Sequence, residues 1–273
     1  MRLLKLVFDF YINASIHVAF SVFAFLRITE IYFDLPNNLN LNYFIFFGTI
    51  TGYNFVKYAG VAKLHHRSLT KDLKAIQIFS FISFLALGYF AYQISLKTLF
   101  VTLPFTLLTV LYAVPFFSGF DKNLRQISYL KILVVAFVWA GFTVLLPVLD
   151  FGEEVSFNII LLMLQRFLIV VVLILPFDIR DVKYDAISLQ TIPRKIGIEK
   201  TKKLGLMLLV FCLLLEYLIS TSSLSKTPFM IFFFLTIIFL MRTKSEQSKY
   251  YCSFWVEALP IMWCLVLLGF HNF

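Results

Sequence analysis

Apolar residues run along this chain in long blocks, at roughly 7–26, 42–62, 75–95, 99–117, 129–149, 158–177, 204–221, 228–241 and 253–270, with short polar stretches between them. An α-helix needs about 20 such residues to cross about 30 Å of hydrocarbon, and all but the short eighth block reach that length. Strands of an outer-membrane barrel would alternate polar and apolar positions, and these blocks do not. The pattern predicts an all-α polytopic membrane protein with nine transmembrane helices. No composition shift, low-complexity tract or glycine-serine linker divides it, so residues 1–273 form a single helical domain.

Composition sharpens this picture. Of 273 residues, 60% are hydrophobic, 18% aromatic and 14% charged, against about 25% charged in soluble domains. All but five of the 24 Lys and Arg lie at the amino terminus or in the even-numbered loops; the exceptions are Arg27, Lys57, Lys97, Arg166 and Lys226. Basic loops stay in the cytoplasm, so the amino terminus and the even loops are expected there. Topology and anionic lipid account for the net charge of +9, and nucleic acid is not needed to explain it. Arg2 and Lys5 ahead of the first block resemble a secretory signal, but the block is long and eight more follow, which predicts a retained helix. Cys212, Cys252 and Cys264 lack metal-ligand spacing and read as apolar fillers.

The polar residues that interrupt this pattern carry the candidate chemistry. Asp178-Ile-Arg-Asp181-Val-Lys-Tyr-Asp185 follows the sixth block, and on a helix its three acids share one face. Arg180 and Lys183 fall on the other side, which leaves the acidic face uncompensated. Hard cations such as Mg²⁺ bind oxygen donors of this kind, with phosphate oxygens completing the shell. A mixed-charge loop between two spans is the competing reading. At the end of the second block Asn54, Lys57 and Tyr58 stand at i, i+3 and i+4. Lys57 either snorkels to the headgroups or points inward at an anion such as a phosphate. Arg125 and Lys131 are where a diphosphate would be met, although topology alone also places basic residues there. Arg166, midway through the sixth block, is expected to pair with Glu216 or Glu257. His17 reads as a core histidine, and His65 and His66 as solvated ones. The chain contains no nucleophile elbow, phosphate-cradling glycine loop or zinc-binding histidine pair.

Asp178-x-x-Asp181-x-x-x-Asp185 with Thr191-Ile-Pro193-x-x-Ile-Gly197 resembles the second aspartate motif of the UbiA-type intramembrane prenyltransferases. Tyr112-x-x-Pro115, Leu124-Arg125 and Leu130-Lys131 through Trp139-Ala140 are similar to that family's fourth-to-fifth helix region. The first motif departs from the pattern. Asn54 is kept, but Tyr58 and Ala62 stand where the family has acids.

The resemblance implies helices around a central cavity and transfer of a polyprenyl group from polyprenyl diphosphate to a hydrophobic acceptor, an aromatic one foremost. It implies Mg²⁺ on Asp178, Asp181 and Asp185, with Asp181 and Asp185 catalytic, and a diphosphate contacted by Asn54, Lys57, Tyr58, Arg125 and Lys131. Lys57 would then offset the two missing carboxylates. Two other readings stay open: a UbiA-like scaffold without catalysis that binds lipid or quinone, and a transporter of an anionic solute.

Overall fold

The structure, a computed structural model, describes residues 2–62, 71–113, 130–183, 191–219 and 225–271. Among the described residues every regular element is helical. In order they are α1 (Arg2–Asn13), α2 (Ile16–Tyr32), α3 (Leu39–Ala62), α4 (Lys71–Gln93), α5 (Leu96–Ala113) and α6 (Leu130–Ala140). A π-helical turn, Gly141–Leu145, joins α6 to α7 (Leu146–Asp150); α8 (Phe157–Asp181), α9 (Ile192–Ile196), α10 (Ile198–Leu218) and α11 (Lys226–Arg242) follow. A second π-turn, Tyr251–Val256, leads into α12 (Leu259–His271).

Where it is described, each predicted apolar block is therefore largely helical. Among the described residues, five segments are long and apolar enough to cross a membrane, or six if α1 and α2 count as one bent span. The expected nine crossings go beyond what length and composition establish. α8 runs through the middle of the bundle against α6 and α10, while α2 packs on α3 and α12. Phe25, Leu162, Ile169, Val172, Phe229 and Trp263 form the core between them. α4 lies outermost, its Phe81, Phe84, Leu85 and Tyr89 exposed as a lipid-facing helix requires.

The first predicted span, 7–26, is not one helix. The chain bends by 54° between α1 and α2, with Ser15 in the left-handed region at φ 63°. A break at this depth needs other partners for its backbone groups, and α3 supplies them. Asn54 Nδ2 donates to the Ala14 carbonyl (3.1 Å) and the Tyr58 hydroxyl to the Asn13 carbonyl (3.1 Å), while Ser15 Oγ donates to Asn54 Oδ1 (2.7 Å).

Arg166 is fully buried, but it does not form the expected ion pair with Glu216 or Glu257. Its Nη1 donates to the Phe25 carbonyl at 2.7 Å. The guanidinium carbon lies 4.1 Å from the Phe25 ring centroid and 5.6 Å from that of Trp263. One carbonyl dipole and two ring faces answer the charge in place of a carboxylate. Glu216 is engaged elsewhere, accepting from the Tyr32 hydroxyl (2.9 Å) and Gln165 Nε2 (2.9 Å), with Lys226 Nζ 3.9 Å away.

The π-turn after α6 depends on a glycine. A Cβ at Gly141 would stand 2.1 Å from the Phe105 ring, well inside contact distance. Gly141→Val is expected to overpack this crossing and to cost about 1–3 kcal/mol. Thermal unfolding in detergent micelles reads the loss, and adding Phe105→Ala should recover much of it. A Gly141→Val protein as stable as the parent would contradict the packing described.

Candidate active site

The ends of α3, α6 and α8 converge with α1, α2 and the second π-turn on one cavity of about 450 Å³. Its deeper wall is apolar, built from Val18, Val135, Val170, Leu173 and Ile174. Its polar groups come from helix ends: Lys57 from α3, Lys131 from α6, and Arg180 and Asp181 from α8. Tyr53, Trp139 and Glu257 add an amphipathic side. Three cationic groups thus stand beside an apolar hollow, an arrangement that suits a ligand with an anionic head and a greasy tail.

The three predicted acids do not form one set. Asp178 is 1% exposed and turned into the bundle, where its Oδ1 accepts from Lys131 Nζ at 2.9 Å. It is absent from the cavity wall, and α6 supplies a cation opposite it. Asp178 thus faces Lys131 of α6 and not the cavity. Asp181 does line the cavity. Arg180 is not turned away from it, as the sequence suggested, but forks onto it through Nε to Oδ1 (2.7 Å) and Nη2 to Oδ2 (3.0 Å). α8 ends at Asp181. Asp185 and Arg125 lie outside the described residues.

The first motif is likewise rearranged. Asn54 is 3% exposed, and its amide is spent on Ala14, Ser15 and Ser80. Tyr58 is spent on Asn13. Neither belongs to the cavity wall. Both hold the α1–α2 break, because two carbonyls there have lost their helical partners. Lys57 belongs to the same face yet reaches the cavity, with its Nζ donating to Ser15 Oγ at 2.8 Å. Lys57 stays exposed at that cavity.

Sequence reasoning missed Tyr53 and the place of Glu257. Tyr53 precedes Asn54 and looks like one aromatic among many; its hydroxyl accepts from Trp139 Nε1 at 3.0 Å. Glu257 was visible only as an isolated acid near the start of the last block.

Among the described residues no three His, Cys, Asp or Glu side chains gather closely enough to hold a metal ion by themselves. Mg²⁺ does not require such a cage, since it is commonly held by one or two carboxylates together with substrate phosphates. Asp181 on the cavity wall meets that lower requirement.

No family model and no curated protein matches the sequence. Solved structures do. A digeranylgeranylglyceryl phosphate synthase structure shares 16% identity at a TM-score of 0.57, covering 97% of both chains. A UbiA homolog from Archaeoglobus fulgidus, solved with GPP and Mg²⁺, shares 14% identity at a TM-score of 0.58, covering 97% of this chain and 100% of that one. The same homolog with DMAPP and Mg²⁺ shares 12% identity at a TM-score of 0.58, covering 97% and 99%. At such identities the likeness speaks for architecture. From end to end, this chain has the membrane fold of the UbiA homologs.

Proposed function

We propose that the protein transfers a polyprenyl group from a polyprenyl diphosphate to a hydrophobic acceptor inside the membrane. One observation carries this reading: a single cavity joins Asp181 and three cationic side chains to an apolar, aromatic-sided hollow. Solved proteins of the same fold bind GPP or DMAPP with Mg²⁺, which supports the same class of substrate here.

Asp181, with Asp185, would hold Mg²⁺ against the diphosphate. The bound ion supplies Lewis-acid stabilisation of the charge that develops on the leaving group. Lys57 and Lys131 donate to diphosphate oxygens. Arg180 is released from Asp181 and adds a planar donor fork suited to phosphate. The aromatic side, Tyr53 and Trp139, presents ring faces to the allylic cation, and the apolar wall keeps out water that would quench it.

Lys57 marks the difference from the family pattern, a fixed ammonium near positions that have lost two acids. Lys57→Met is expected to weaken geranyl diphosphate binding about 10- to 100-fold, the worth of one charge-assisted hydrogen bond, while Lys57→Arg keeps most of it. Binding to protein in lipid nanodiscs, followed by calorimetry, measures both. Equal affinity in the Met variant would remove Lys57 from the site.

The catalytically silent scaffold remains the second reading, favoured by Asn54 and Tyr58 being spent on the α1–α2 break. Incubation with labelled polyprenyl diphosphate and Mg²⁺ separates the two. Diphosphate release supports transfer, and tight binding without release supports the scaffold.

A further inference from the structure

The transfer reading gives no work to the Glu257 carboxylate or the Tyr53 hydroxyl, both of residues on the cavity wall. Among the described residues, none donates a hydrogen bond to the Glu257 carboxylate, although it stands on the wall of a membrane-embedded cavity. The Tyr53 hydroxyl accepts from Trp139, but its own hydrogen has no acceptor among the described residues. The two groups are within electrostatic reach of one another, with Lys57 and Arg180 also close to Glu257.

Glu257 owes its place to a departure from α-helical geometry. Its N–H donates to the Cys252 carbonyl five residues back at 3.2 Å, closing the π-turn that shifts the register of this helix by one residue. Such turns cost helical regularity and recur at functional sites. His17 fastens this one to α2, its Nε2 lying 2.8 Å from the Phe254 carbonyl and its Nδ1 2.8 Å from the Tyr11 hydroxyl. A carboxylate repels diphosphate unless a cation stands between them. It has value for a group that donates a hydrogen bond.

Resting on the prenyl-transfer reading, we infer that Glu257 and Tyr53 form the acceptor subsite, and that the acceptor is an alcohol or phenol held by its hydroxyl. A hydroxyl satisfies both unspent groups, because it donates to Glu257 and accepts from Tyr53. The C1–O bond of the prenyl diphosphate breaks and its electron pair leaves with diphosphate. The acceptor oxygen gives a lone pair to C1, forming an ether, and its proton passes to the Glu257 carboxylate. Lys57 lies within electrostatic reach of Glu257 and sets a positive charge beside the group that takes the proton.

The test uses geranyl diphosphate with n-decanol, 4-butylphenol or their methyl ethers, and full-length protein in nanodiscs with Mg²⁺. The wild type is expected to give geranyl ethers from at least one hydroxyl probe and nothing from the methyl ethers. The decanol and butylphenol arms tell an alcohol site from a phenol site. Glu257→Gln should cut ether formation about 100-fold or more, the usual worth of a general base. Its affinity for geranyl diphosphate should stay within about threefold of wild type, which also reports on folding. Glu257→Asp should retain about a tenth of the rate, and Tyr53→Phe about the same. Unchanged transfer in Glu257→Gln, equal reaction of the methyl ethers, or no reaction of either hydroxyl probe by protein that releases diphosphate would overturn the inference and leave the transfer reading standing. Absence of geranyl diphosphate binding by the wild type would sink both.

Discussion

Asp181→Asn is expected to lower Mg²⁺-dependent release of diphosphate from geranyl diphosphate about 10²- to 10³-fold, the scale on which one preorganised electrostatic contact is lost. Asp181 is the single carboxylate of the acidic run that lies on the cavity wall among the described residues. The amide keeps the shape of the side chain but not the charge that attracts the ion. It also loosens the Arg180 fork, which meets both carboxylate oxygens. Asp185→Asn should act in the same direction. Binding of the diphosphate itself should fall less, because Lys57 and Lys131 still face it. The check is a steady-state assay of diphosphate release in nanodiscs. An Asp181→Asn protein with the parental rate would exclude Asp181 from the reaction.

Lys131→Met should destabilise the bundle by about 3 kcal/mol, the lower end of the loss on breaking a buried ion pair. The lower end applies because Asp178 is 1% exposed while the Lys131 side chain keeps 27% of its surface accessible. Without Lys131, Asp178 loses its charge partner in the protein core. Adding Asp178→Leu removes the buried carboxylate that Lys131 answers, so the double variant should regain most of the stability. Denaturant or thermal unfolding in micelles measures this cycle. The double variant also separates structure from function: folded but lacking one cavity cation, it should bind geranyl diphosphate about tenfold more weakly. Equal losses in the single and double variants would mean that the two residues do not act as a pair.

Much of the helical framework was legible in the sequence, because about 20 apolar residues in a row leave the backbone no alternative inside a bilayer. The breaks were not. Ser15 sits within an apolar run with no glycine or proline to mark it, and its left-handed turn depends on Asn54 and Tyr58, some 40 residues away. The π-turns at Gly141 and Tyr251 are equally silent in periodicity.

The site divided along the same line. Spacing correctly grouped Asn54, Lys57 and Tyr58 on one face, since i, i+3 and i+4 is a local property. It could not say that α1 and α2 would occupy that face and leave only Lys57 at the cavity. Spacing also grouped Asp178 with Asp181. One helical turn separates them, yet one meets Lys131 from α6 and the other the cavity. Arg166 was marked correctly as buried, but its partners are a carbonyl and two rings, which no charge pattern reveals.

The central claim is that the end of α8 and Lys57 of α3 grip one diphosphate within a shared cavity. Its most direct test is a crystal or cryo-electron microscopy structure with a non-hydrolysable geranyl thiolodiphosphate and Mn²⁺. The account predicts metal density at Asp181, the diphosphate within hydrogen-bonding distance of Lys57, and the geranyl chain along Val170 and Leu173. A ligand bound elsewhere, or metal that ignores Asp181, would contradict it.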